Sequence, residues 1–173
     1  LKGKFMKAFL IAAAAALVAV AAPASAQDFT GARIGVTGGY DNIQDREGVT
    51  YGVVVGVDAP VAKGVTLGVE ATLEDSTADQ SVLEASREIG VAARLGVKVL
   101  PKAQIFGKVG YTNARVELQG TNAGVSLEGL RYGGGVEYAV TEKVYTTVEY
   151  RRSEYEDGVG GRDGVLVGVG FRF

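Results

Sequence analysis

The sequence predicts an all-β chain, an eight-stranded antiparallel up-and-down β-barrel that crosses a membrane with its strands. Three observations predict it. Apolar residues recur at every second position through eight segments, the period of a strand whose side chains alternate between two faces. Tight turns and longer polar stretches alternate strictly between those segments. The 26 glycines among 173 residues, about twice the average share, crowd one of the two faces.

The chain opens on an export signal. Lys2, Lys4 and Lys7 flank the start of an apolar run from Ala8 to Ala22, and Pro23 then leads into Ala24-Ser25-Ala26, the small-residue pattern that signal peptidase cuts. Cleavage is expected after Ala26. The run, about 15 residues, is shorter than the roughly 20 that a spanning helix needs. Met6 reads as the start, with Leu1 to Phe5 upstream of it. Two regions follow: a cleaved signal peptide, 1–26, and a barrel, 27–173.

The first strand sets Ala32, Ile34, Val36 and Tyr40 against Arg33, Gly35, Thr37 and Gly39. A polar stretch, Asp41 to Gly48, separates it from the second, where Val49, Tyr51, Val53, Val55 and Val57 alternate with Thr50, Gly52, Val54, Gly56 and Asp58 before Pro60 ends the pattern. The third opposes Val65, Leu67, Val69, Ala71 and Leu73 to Thr66, Gly68, Glu70, Thr72 and Glu74. After the polar run Asp75 to Ser86, the fourth places Ile89, Val91, Ala93, Leu95, Val97 and Val99 opposite Glu88, Gly90, Ala92, Arg94, Gly96 and Lys98, and Pro101-Lys102 makes the turn.

The fifth strand, Ala103 to about Val116, carries Ile105, Val109 and Tyr111 on its apolar face. Gly120, Asn122 and Gly124 mark a loop. The sixth sets Leu130, Tyr132, Val136, Tyr138 and Val140 against Arg131, Gly133, Gly135 and Glu137, and Thr141-Glu142-Lys143 closes it. The seventh opposes Val144, Thr146, Val148 and Tyr150 to Tyr145, Thr147, Glu149 and Arg151. After the glycine-rich loop Glu156 to Asp163, the eighth ends the chain with Val165, Val167, Val169, Phe171 and Phe173 against Gly164, Leu166, Gly168, Gly170 and Arg172.

Alternation alone does not say which face points outward, since a soluble lipocalin-like barrel would bury the apolar one. Glycine and charge decide. Glycine on a solvated strand face only costs stability, whereas inside a narrow barrel it makes room for long side chains such as Arg33, Arg94, Lys108, Arg131 and Arg151. The apolar face is nearly free of charge through the strand centres, and one arginine at the lipid midplane would cost roughly 2 to 4 kcal/mol. The apolar face is therefore expected to meet lipid. Tyr40, Tyr51, Tyr132 and Tyr150 toward the loop rim, and Phe29, Tyr138, Phe171 and Phe173 toward the turn rim, give two expected aromatic girdles.

Composition narrows the chemistry. A formal charge of −2 offers no basic excess for nucleic acid, and with neither cysteine nor histidine there is no thiolate, no disulfide and no imidazole base or ligand. No cofactor and no metal are expected. A glycosidase-like carboxylate pair lacks a cleft, and the acidic stretches Asp41 to Glu47 and Glu154 to Asp157 read as solvated loop charge rather than a calcium site. The chain is not expected to be an enzyme.

The run from Gly133 through Glu137-Tyr138 and Val144-Tyr145 to Arg151, and the closing Val169-Gly170-Phe171-Arg172-Phe173, resemble the opacity-type and OmpA-type small outer-membrane barrels. The resemblance covers the whole mature chain. It implies residence in the bacterial outer membrane among lipid and lipopolysaccharide, and it implies that Val169, Phe171 and Phe173 form a C-terminal signal read by the outer-membrane assembly machinery. Because the sequence stops at Phe173, the periplasmic wall-binding domain of the larger OmpA-type proteins is not expected. A monomer is expected.

Counted from the turn rim, Glu70, Arg94, Lys108 and Glu149 fall at similar heights and are expected to form a lumen ion-pair cluster, with a second layer of Arg33, Asp58, Lys98, Glu137 and Arg172 toward that rim. Either the charges plug the lumen, or an exchange of partners gates a narrow conductance. The leading functional expectation is a structural or porin-like outer-membrane barrel. An adhesin acting through its loops and a soluble periplasmic lipocalin-like barrel are the alternatives.

Overall fold

The computed structural model describes residues 29–43, 46–76, 83–118, 124–155 and 161–173. They form one closed barrel of eight strands: β1 (Gly31–Ile43), β2 (Arg46–Ala62), β3 (Val65–Ser76), β4 (Leu83–Leu100), β5 (Ala103–Leu118), β6 (Gly124–Ala139), β7 (Val144–Tyr155) and β8 (Gly161–Arg172). Each strand pairs antiparallel with its neighbour in sequence, and β8 returns to pair with β1 from Arg33↔Arg172 to Ile43↔Arg162. Closure leaves no sheet edge, which is the condition for a sheet to survive in hydrocarbon.

Register keeps the apolar face continuous around the wall. Val97, Ile105, Val136, Val148 and Val167 are successive cross-strand partners on β4 to β8. This face points away from the barrel: Val36 is 60% exposed and Val148 53%, while Arg94 on the opposite face is 2% exposed. A water-soluble barrel would have the reverse arrangement, so the outward belt is built for lipid. At the loop rim the belt ends in the exposed rings of Tyr40, Tyr51, Tyr111, Tyr132 and Tyr150, and at the turn rim in Tyr138, Phe171 and Phe173.

Three expectations need correction. Phe29 does not join the turn-rim girdle; it is buried, with a positive φ of 52° followed by Gly31 at 100°, and this backbone bend carries the segment inward to where Arg172 Nη1 donates to Phe29 O at 2.8 Å. Pro60 does not end the second strand: β2 runs on to Ala62, with the register shift that a missing N–H imposes lying between Pro60 and Ala62, and the turn is Lys63-Gly64. The strands also run past the alternating segments that mark them in the sequence, to lengths from 12 in β3 to 18 in β4, because polar residues taken for loop continue the ladders. Asp41 and Asn42 lie in β1 and Arg162 and Asp163 in β8, with Asn42 paired to Asp163, Asp41 to Gly164 and Arg162 to Ile43.

The inward glycines provide the room expected of them. A Cβ at Gly56 would come within 2.9 Å of Arg33 Nη2, and one at Gly35 within 2.9 Å of Tyr145 Oη.

Candidate functional site: the charged lumen

Strand alternation sends charged residues from each of the eight strands to the axis. Fourteen of them make two separate networks, neither of which is joined to the other by a salt bridge among the described residues.

The network nearer the turn rim holds four cations, Arg33, Arg94, Lys108 and Arg172, and four carboxylates, Asp58, Glu70, Glu137 and Glu149. Its base is a ring: Arg94 reaches Asp58 at 3.3 Å and Glu137 at 2.7 Å, and Arg172 reaches the same two at 3.0 and 2.7 Å. Arg33 links the ring upward, bonding Asp58 at 2.9 Å and Glu70 at 2.7 Å. Lys108 then spans the lumen from Glu70 on β3, at 2.6 Å, to Glu149 on β7, at 2.7 Å. Arg94 also stacks on Phe106, 4.1 Å from its centroid.

Toward the loop rim a second network runs as an alternating chain, Arg151–Glu74–Arg131–Glu88–Arg162–Asp41. Glu74 accepts from Arg131 at 2.9 Å and from Arg151, and Glu88 accepts from Arg162 at 3.0 Å, from Arg131 and from Thr112. Ser153 accepts from Arg131 Nε at 2.9 Å, and Ser76 donates to Asp41 at 3.1 Å. Three cations thus face three carboxylates.

Among the described residues each network is neutral. A buried set of charges needs that balance, since an unpaired buried charge costs several kcal/mol. Between the networks lies a cavity of about 30 Å³ lined by Thr37, Thr72, Lys108, Tyr145, Glu149 and Arg151 among others, and beside it a smaller one of about 10 Å³. Space on this scale takes roughly one or two waters and no larger solute.

Of the residues expected to cluster at mid-barrel, the structure joins Glu70, Lys108 and Glu149 directly. Arg94 sits instead in the ring with Asp58 and Glu137. Of the expected second layer, Arg33, Asp58, Glu137 and Arg172 share the lower network; Lys98 is half-buried, with its backbone N–H donating to Gly64 O at 2.7 Å. The upper network was not foreseen as a unit. Glu74, Glu88, Arg131 and Arg151 fall on the inward parity, but Asp41 and Arg162 read as loop, which hid two of its six members. Ala24 and Ala26 lie outside the described residues; Phe171 and Phe173 face outward at the end of β8, where Phe173 N donates to Ala32 O at 2.8 Å.

The sequence profile of the outer membrane protein beta-barrel domain matches residues 11–173. The chain belongs to that family. Solved structures similar to this outer-membrane barrel include Ail, the attachment invasion locus protein of Yersinia pestis, at 14% identity over 83% of this chain and 97% of that one, with a TM-score of 0.61. Neisserial surface protein A is 17% identical over 82% and 96%, with a TM-score of 0.58. The N-terminal β-barrel domain of Pseudomonas aeruginosa OprF is 14% identical over 82% and 97%, at 0.57. Likeness at these identities concerns the fold. No curated protein matches the sequence at a significant level.

Proposed function

We propose that this outer-membrane barrel is a non-enzymatic, monomeric structural protein of the bacterial envelope whose lumen is shut by its own ion pairs. One observation carries the reading: two neutral networks, drawn from all eight strands, cross the lumen one above the other. A pore for solutes needs a lining of side chains that leave the axis open. Here the arginines and carboxylates meet on it. The paired carboxylates also argue against acid–base chemistry, because Glu70, Glu74, Glu88 and Glu137 are each held by at least two cationic or hydroxyl donors.

Single-channel recording of the refolded barrel in planar lipid bilayers tests this. A silent membrane is the expected result, and reproducible unitary conductance steps from the wild type would replace the structural role with a porin-like one. Ail is named for attachment and invasion and has been solved with a heparin analogue. For the present chain an adhesive role has less support, since the segments joining the strands at the loop rim, 44–45, 77–82, 119–123 and 156–160, are short.

The export reading completes the proposal: cleavage after Ala26 leaves Gln27 as the mature N-terminus, and the mature barrel lies among lipid and lipopolysaccharide. N-terminal sequencing of protein from an outer-membrane fraction tests both, with an uncleaved precursor as the contrary result.

A further inference from the structure

The three tight turns repeat one small pattern. In each, an apolar residue at the lower edge of the belt is followed two or three positions later by an exposed lysine: Val61 and Lys63, Leu100 and Lys102, Val140 and Lys143. Val61, Leu100 and Val140 are each at least half exposed. The turns are held at a fixed depth through their backbones: Gly64 O accepts from Lys98 N at 2.7 Å, Lys102 O from Ala139 N at 2.8 Å, and Lys143 O from Arg172 N at 2.8 Å. Thr141 Oγ1 caps the third turn by accepting from Val144 N at 2.9 Å.

The lumen cations are neutralised by carboxylates, yet none of these three lysines forms an ion pair with a described residue. Glu142 is the single carboxylate within the turns 61–64, 100–102 and 140–143. Among the described residues, the outward-facing charge at the opposite rim has the other sign in the main. Asp75, Glu154 and Asp163 accept from the hydroxyls of Tyr51, Tyr132 and Tyr150, and Arg152 is the cation among them.

We propose that the turn rim is a docking surface for anionic phospholipid headgroups, with Lys63, Lys102 and Lys143 each meeting lipid phosphate. Three features select that partner. The lysines sit directly below a lipid-facing belt ending in Tyr138, Phe171 and Phe173, which is headgroup depth. A lysine stem lies along apolar surface while its ammonium reaches the polar layer. The charge is spread around the mouth rather than gathered into a patch, which suits a ring of small mobile anions. In barrels of this kind the short turns face the periplasm, so the partner leaflet is the inner one of the outer membrane. The surface lies outside the lumen and holds whether or not the barrel conducts.

The test uses the mature barrel in vesicles of phosphatidylcholine, with and without phosphatidylglycerol, and reads the folding equilibrium in urea from the heat-modifiable mobility on gels. Phosphatidylglycerol should raise the folded-to-unfolded ratio by about fivefold per lysine at low salt. The triple variant K63Q/K102Q/K143Q should fold in phosphatidylcholine and lose most of that gain, and about 1 M salt should erase it in the wild type. If the triple variant does not fold, the three single variants carry the test, each expected to lose its share. Full retention of the gain in the variants overturns the proposal. So does a wild type indifferent to phosphatidylglycerol but retained by purified peptidoglycan in a lysine-dependent way, which would assign the rim to the cell wall instead.

Discussion

Arg33 and Arg172 stand directly opposite each other in the pairing of β1 with β8, two like charges at the seam where the first strand meets the last, and both donate to one oxygen, Asp58 Oδ2. Arg94 donates to that oxygen as well. Like charges placed opposite in a ladder repel, and Asp58 is the carboxylate that the two share, beside Glu70 on Arg33 and Glu137 on Arg172.

Removing that compensation should loosen the seam first. Asp58→Asn keeps the shape and deletes the charge, and the expected loss is about 3 to 5 kcal/mol, the usual result of stranding a buried ion. Urea unfolding in vesicles measures the loss. Amide exchange should accelerate along β1 and β8 more than along β4 and β5; a uniform acceleration, or none, would show that Asp58 does not hold the seam.

The separation of the two networks predicts how substitutions combine. Arg94→Met and Glu137→Gln break the same ring and should be coupled by about 0.5 to 3 kcal/mol in a double-mutant cycle. Arg162→Met and Glu137→Gln lie in different networks and should add to within about 0.5 kcal/mol. Strong coupling in the second pair would mean that the lumen acts as one network.

Sidedness gives a third expectation. Val148→Arg puts a cation in the middle of the outward belt and should cost roughly 2 to 4 kcal/mol in a bilayer. Its neighbour Thr147 points inward, and Thr147→Ser, which keeps the hydroxyl and removes one methyl group, should cost only about 0.8 kcal/mol. Equal effects in vesicle unfolding would contradict the assignment of faces.

Deletion of Phe173 examines the last strand. Its backbone N–H bonds Ala32 O and its ring extends the turn-rim girdle, and if Val169, Phe171 and Phe173 form the assembly signal, the shortened chain should be depleted in the outer membrane of cells while still refolding in detergent. Normal levels in the membrane would remove Phe173 from that signal.

The strands were legible in the sequence because a period of two marks them, and the sidedness because glycine and charge gather on one of the two faces while the other stays apolar. Strand ends were not. Asp41 and Arg162 carry the same polar chemistry whether they sit in a loop or point into a charged lumen, and only pairing between β1 and β8 distinguishes the cases. The direction of a long side chain was not legible either: Arg94 and Lys108 are direct partners in the pairing of β4 with β5, as counting from the turn places them, yet the Arg94 guanidinium reaches down to Glu137. Phe29 was misplaced because an aromatic near a rim looks like a girdle residue until the left-handed bend at positions 29 and 31 turns it under.

Neutrality within each network also sets the terms on which this lineage can change. A single substitution at Asp58, Glu74, Glu137 or Arg131 leaves an imbalance that no solvent corrects, so lumen positions can drift only through compensated exchanges, often between residues more than 30 positions apart, as Arg94 and Glu137 are. The lipid face carries no such bookkeeping. Valine, leucine and isoleucine can replace one another there at little cost, so descendants of this barrel should diverge quickly on the outside and in correlated steps within.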